Sequence, residues 1–174
     1  ARLRVGDPFE EETDVGPLAR ADLRADLERQ VAESVAMGAT VLVGGYRLER
    51  PGYFYAPTIL SHVTPEMPAF REETFGPVAA IVRARDTEEA IALANQSVYG
   101  LGASIWTRDL GSARRLVREI EAGSVFVNGM VASDPRLPFG GVKRSGYGRE
   151  LGEWGIREFV NVKTVWFGPA RQQS

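Results

Sequence analysis

The sequence predicts an α/β fold in which a largely parallel sheet is flanked by helices. Short β-branched runs alternate with amphipathic stretches of helical length, and glycine and proline punctuate the joins. At 174 residues, with 44% hydrophobic and 25% charged, the chain has the composition of an ordinary globular domain or part of one. It shows no internal repeat and no low-complexity linker.

After a polar opening, Pro17 to Met37 reads as the first helix. Leu23, Leu27, Val31 and Val35 recur every fourth residue among charges, and Gly38 follows as a helix-ending glycine. Thr40-Val41-Leu42-Val43 is a strand stopped by Gly44-Gly45, and Pro51-Gly52 marks a turn before an extended stretch from Tyr53 to Leu60. Val78 to Val82 is the next strand. Asp86, with an acidic residue three positions on, opens a helix through Asn95. Leu101 to Trp106 reads as a strand. Asp109 starts a helix with Ala113, Leu116, Val117 and Ile120 on one face, and Val125-Phe126-Val127 follows as a strand. A glycine-rich loop covers Pro138 to Gly148, a short helix runs from Arg149 to Phe159, and a last strand spans Asn161 to Phe167.

Composition excludes several chemistries. Lysine and arginine total 21 against 23 acidic residues, a balance unsuited to nucleic acid, whose phosphates call for a clustered positive field. Arg114, Arg115 and Arg118 form the densest basic cluster, but Glu119 and Glu121 interleave with them. No apolar run approaches the ~20 residues of a membrane span, and a cytoplasmic protein is expected. The chain has no cysteine, hence no disulfide, no thiolate metal site and no cysteine nucleophile. The single histidine, His62, reads as a partly exposed residue at a strand end, and no metal site is expected.

The stretch Gly140-Gly141-Val142-Lys143-Arg144-Ser145-Gly146-Tyr147-Gly148 invites a phosphate-binding reading, because glycines permit close backbone approach. Its spacing fails the phosphate-loop pattern: Tyr147 follows Gly146 where lysine is needed. In Gly100-Leu101-Gly102-Ala103, Ile105 replaces the third glycine of a dinucleotide fingerprint, and Lys143 precludes a nucleophile elbow around Ser145. Tight connections are the better physical reading of both glycine loops.

Motif order adds what physics leaves open. Glu72-Glu73-Thr74-Phe75-Gly76-Pro77-Val78 resembles the E-x-F-G-P segment of aldehyde dehydrogenases. Val5-Gly6-Asp7-Pro8, Gly16-Pro17, Gly52-Tyr53-Phe54, Tyr99 to Ala103 and Pro138-Phe139-Gly140-Gly141-Val142-Lys143 follow the same family's order over nearly the whole chain. Ala132 to Leu137, leading into Pro138, is most similar to bacterial succinate-semialdehyde dehydrogenases.

The resemblance implies the C-terminal part of an aldehyde dehydrogenase catalytic domain, over residues 1–160, with an oligomerisation strand and tail at 161–174. In that family a cysteine thiolate attacks the aldehyde, hydride passes to NAD or NADP, and a glutamate-activated water hydrolyses the thioester. The resemblance puts the cysteine, that glutamate and the coenzyme domain before Ala1. No residue here is then catalytic, and the chain alone is expected to be inactive.

What the resemblance assigns here is support. Glu73 matches the carboxylate that holds the nicotinamide-side ribose hydroxyls; the alternative is a solvated loop residue. Phe75 matches an aromatic packed near the nicotinamide, which is compatible with a core role. Ser133 matches the serine that bonds the distal carboxylate of succinic semialdehyde; the alternative is a Ser-Asp-Pro turn. Phe139 matches the aromatic at the mouth of the substrate tunnel, while Arg136 has no counterpart in the pattern. The implied partners are a small aldehyde, the rest of the same enzyme and further copies in a homodimer or tetramer. The competing reading is a non-catalytic α/β binding or interaction module on the same scaffold.

Overall fold

The computed structural model describes residues 3–169 and divides the chain into two units, Ala1–Ser97 and Val98–Ser174. In the first unit, α1 (Ala21–Ala36) starts four residues later than the pattern predicts. The amide of Leu18 is held by the Tyr53 carbonyl at 3.0 Å, so the chain enters the helix extended. The buried face is Leu27, Gln30, Val31 and Ser34, and Val35 is exposed. A four-residue spacing drifts about 40° per step on a 3.6-residue helix, which carries Val35 off the face and brings two polar residues onto it.

Strands β1 (Thr40–Val43), β2 (Thr58–Ser61) and β3 (Val78–Ala80) form one sheet in that order. β1 pairs antiparallel with β2, and its register shifts between Val41 and Val43, leaving Leu42 as an extra residue. Gly44 and Gly45, both at positive φ, end β1, and antiparallel pairing resumes beyond them between Arg47 and Tyr55; a Cβ on Gly44 would lie 2.3 Å from the Pro57 carbonyl oxygen. β2 and β3 run parallel. Between them lies α2 (Pro68–Arg71), a single turn that the sequence reading does not include. Leu27, Val31, Tyr55, Leu60, Val63 and Met67 form the core beneath the sheet.

Ser34, fully buried, joins the helices. Its hydroxyl donates to the Gln30 carbonyl at 2.7 Å and accepts from the Ala69 amide at 3.0 Å, satisfying a first-turn donor of α2 that has no partner within the helix. α3 (Thr87–Gln96) is capped as predicted: an Asp86 carboxylate oxygen accepts from the Glu89 amide at 2.8 Å.

In the second unit, β5 (Gly102–Ile105) pairs parallel with β6 (Ser124–Val127), and β4 (Tyr99–Gly100) pairs antiparallel with β7 (Val142–Lys143). α4 (Leu110–Glu119) crosses between β5 and β6, with Asp109 accepting from the Gly111 and Ser112 amides at 2.9 and 3.0 Å. α5 (Gly152–Arg157) is shorter than the expected 149–159 helix, because Leu151 at φ 64° precedes it in a non-helical conformation.

One expectation is met in part and one needs correction. The described strands form three small sheets, and of their four pairings two are parallel and two antiparallel, so the fold is mixed α/β. The strand expected over Asn161–Phe167 does not form: residues 161–169 carry no ladder and are exposed. The alternating apolar residues are present, but a strand exists only by pairing, and no segment of the described chain pairs with this one.

Candidate functional site

The segment from Glu72 to Val78 leaves the C-terminus of α2 and is tied to α1. Glu72 accepts from Arg29 Nη2 at 2.7 Å and from Gln30 Nε2 at 3.0 Å. The Arg29 hydrogen bond, then that of Gln30, holds the Glu72 carboxyl below the ordinary carboxylate range. Gln30 Nε2 also donates to the Glu73 carbonyl at 3.2 Å. Farther on, the Gly76 amide donates to the Thr74 carbonyl and the Val78 amide to the Gly76 carbonyl, both at 2.8 Å, while the Pro77 carbonyl accepts from the Thr58 amide. Gly76 lies so close to α1 that a Cβ would stand 2.3 Å from Leu27 Cδ2.

These ties divide the labour of two adjacent glutamates. The Glu72 side chain is consumed in anchoring the loop. The Glu73 side chain is exposed, and among the described residues its carboxylate has no hydrogen-bond or ion-pair partner. Phe75, two residues on, is 60% exposed and lies outside the core. A free carboxylate can accept two hydrogen bonds from a vicinal diol, and an open aromatic ring offers a face to a flat apolar group.

The second unit carries a cavity of about 290 Å³ beside β6. Phe139 lines it, together with Gly123, Phe126, Ala132, Asp134 and Leu137. Ser133 is exposed between two of these residues, and its hydroxyl has no hydrogen-bond partner among the described residues. The turn here is made by Asp134: its carboxylate accepts from the Arg136 amide at 2.9 Å, and its carbonyl accepts from the Leu137 amide. Arg136 grips the same carboxylate through Nε at 2.9 Å and Nη2 at 2.6 Å. That guanidinium is engaged with its neighbour.

The glycine-rich loop is a packing device. A Cβ on Gly123 would fall 1.7 Å from the Gly140 carbonyl oxygen, and one on Gly140 would fall 2.6 Å from that of Gly148. Backbones meet here at distances that only glycine allows. Ser145 Oγ accepts from the Gly100 amide at 3.0 Å, and Lys143 Nζ pairs with Glu121 at 2.7 Å, so both side chains have local partners. Arg149, named from the sequence only as the start of a short helix, donates through Nη1 to the carbonyls of Gly141 and Gly148 at 2.9 and 2.6 Å.

His62 is exposed immediately after β2, with Nδ1 3.2 Å from the hydroxyl of its neighbour Ser61. Among the described residues no group of three or more His, Asp or Glu side chains could hold a metal ion, and no helix is long and apolar enough to cross a membrane.

The profile of the aldehyde dehydrogenase family matches residues 1–165. The chain belongs to the aldehyde dehydrogenase family.

Among its relatives, this aldehyde dehydrogenase chain is 54% identical over 166 residues to the succinate-semialdehyde dehydrogenase [NADP(+)] 1 of Mycobacterium tuberculosis. It has the same identity over the same length to a succinate semialdehyde dehydrogenase [NAD(P)+] of Escherichia coli. In both comparisons 95% of this chain is covered, and the chain spans 36% of the relative's length. The crystal structure of succinic semialdehyde dehydrogenase from Streptococcus pyogenes, in complex with NADP+, superposes with a TM-score of 0.91 at 40% identity, covering 96% of this chain and 37% of that one. Betaine aldehyde dehydrogenase from Staphylococcus aureus, in complex with NAD+, gives 0.86 at 35% identity, covering 91% and 32%.

Proposed function

We propose that this chain is the supporting part of an NAD(P)-dependent aldehyde dehydrogenase that oxidises succinic semialdehyde to its carboxylic acid. The observation that carries the reading is the 54% identity to succinate-semialdehyde dehydrogenases over 95% of the chain. In this reading residues 1–160 are a partial catalytic domain and 161–174 an oligomerisation strand and tail. In this reading the largely parallel sheet is a property of the complete domain.

The residues present fit the coenzyme. Glu73 has both carboxylate oxygens available for a ribose diol, and the exposed ring of Phe75 suits the nicotinamide beside it. When bound, the coenzyme supplies a hydride acceptor. Glu73 orients its ribose, Ser133 donates to the distal carboxylate of the aldehyde, and Phe139 lines the aldehyde's path. A chain without cysteine cannot form the thiolate that the family uses, so that group comes from outside these 174 residues. The reading includes a cytoplasmic homodimer or tetramer. Val162, Trp166 and Phe167, each more than four-fifths exposed, are the surface a partner copy would cover.

The test uses the complete enzyme. Glu73→Gln is expected to raise the coenzyme KM about tenfold and to leave the aldehyde KM within twofold. Ser133→Ala is expected to cost more with succinic semialdehyde than with an uncharged aldehyde of equal length. Unchanged coenzyme kinetics would remove Glu73 from the site, and equal losses with both aldehydes would remove Ser133. Dehydrogenase turnover by the pure 174-residue chain would refute the division of labour itself.

A further inference from the structure

The four residues Arg149–Gly152 hold the arch that carries Phe139 at several points. Phe139 and Glu150 exchange both backbone hydrogen bonds, each at 2.8 Å. The Gly152 amide donates to the Pro135 carbonyl at 3.0 Å. Arg149 Nη1, half-buried, donates to Gly141 and Gly148 at 2.9 and 2.6 Å and so ties together two turns of the glycine-rich loop. Between the anchors at Glu150 and Gly152 sits Leu151 at φ 64° and ψ 163°, a region that residues with a Cβ avoid. Such strain persists only where both neighbours are fixed. The packing leaves little slack, since a Cβ on Gly140 would also lie 3.1 Å from Arg149 Cδ.

We infer that Arg149 is the positioning residue for Phe139. Its guanidinium holds the returning strand of the loop so that Glu150 meets Phe139, and this fixes where the aromatic ring stands against the cavity it lines. The inference rests on the reading of Phe139 as lining the aldehyde's path, and it adds a residue that acts through Phe139 without touching substrate. Each loop carbonyl needs its own N–H, and a guanidinium nitrogen carries two, so one Nη serves both. An apolar side chain of similar length serves neither.

The experiment is a double-mutant cycle in the complete enzyme with succinic semialdehyde. Arg149→Met is expected to raise the aldehyde KM about tenfold, with kcat and the coenzyme KM within twofold. Phe139→Ala is expected to act in the same direction, and the double variant to be no worse than Phe139→Ala alone. Arg149→Lys, which keeps a donor at similar reach, should show an intermediate KM, and it carries the test if the methionine variant does not fold. Additive losses, or losses shared equally by kcat, aldehyde KM and coenzyme KM, would make Arg149 merely structural and overturn the proposal. If Phe139→Ala raises the KM and neither Arg149 variant does, the positioning role alone is wrong. If Phe139→Ala leaves the KM of every aldehyde unchanged, the reading of Phe139 falls and the positioning role with it.

Discussion

Gly76→Ala sets two opposing effects against each other in the segment that carries Glu73 and Phe75. Gly76 does not adopt a positive φ, so alanine meets no backbone penalty there. Restricting the unfolded chain should then stabilise the protein by ~0.4–1 kcal/mol. Against this, the new methyl would lie 2.3 Å from Leu27 Cδ2 and 3.3 Å from Cδ1. Ordinary carbon contacts are about 3.5–4.0 Å, so one δ carbon must move by more than an ångström. A surface leucine would rotate away at little cost, but Leu27 is 1% exposed and packed in the core with Val31, Tyr55 and Leu60. Overpacking at such a site costs ~1–3 kcal/mol, so the net effect should be a loss of about 0.5–2 kcal/mol. Urea unfolding of the 174-residue chain measures this directly. The decisive comparison is the same substitution in a Leu27→Val background, which withdraws the δ carbons. There Gly76→Ala should be neutral or stabilising. Equal penalties in both backgrounds would show that Leu27 is not what Gly76 makes room for, and would refute the packing argument.

Two further predictions concern the same core. Burial, with a smaller contribution from the charge of Glu28, pushes the Tyr55 phenol from 10.0 up to about 12. A raised folded-state value gives stability that is fully present below pH 10 and lost as pH rises from 10 to 12, by about 1.4 kcal/mol per pH unit. Urea titrations across that window should show Tyr55→Phe lacking this slope, and parallel curves for the two proteins would refute the assignment. Ser34→Ala strands the Ala69 amide at a fully buried position and should cost ~1–3 kcal/mol, read as a lower urea midpoint; a change below a few tenths would mean that α2 does not depend on this contact.

What could be read from the sequence was local. Asp86 and Asp109 announce α3 and α4 because a capping carboxylate bonds amides two or three residues away, within the reach of any motif. α2 escaped because one turn has no period, although Pro68 after Met67 is the start signal that could have found it. Asn161–Phe167 has the alternation of a strand, and alternation says nothing about whether a partner is at hand. At the site, Glu72 and Glu73 are indistinguishable as letters. Motif order singles out Glu73, and the physical difference between them arises where α1 lays Arg29 and Gln30 beside Glu72. Likewise the Ser-Asp-Pro turn was legible as a turn, but which residue makes it was not: Asp134 does, and Ser133 keeps its hydroxyl. The role of Arg149 depends on two carbonyls brought together by positive φ at Gly146 and Gly148, which no spacing encodes.

The extra residue at Leu42 has a consequence for how this sheet can grow. A bulge twists the outer strand and breaks its hydrogen-bond rhythm, so β1 offers an incoming strand a poor template despite the exposed Val41, Leu42 and Val43. The opposite border, β3, has regular register with β2 across Val78, Ala79 and Ala80 and carries no such interruption. Among the described residues the sheet is thus polarised, ending on an interrupted edge at β1 and on a regular one at β3.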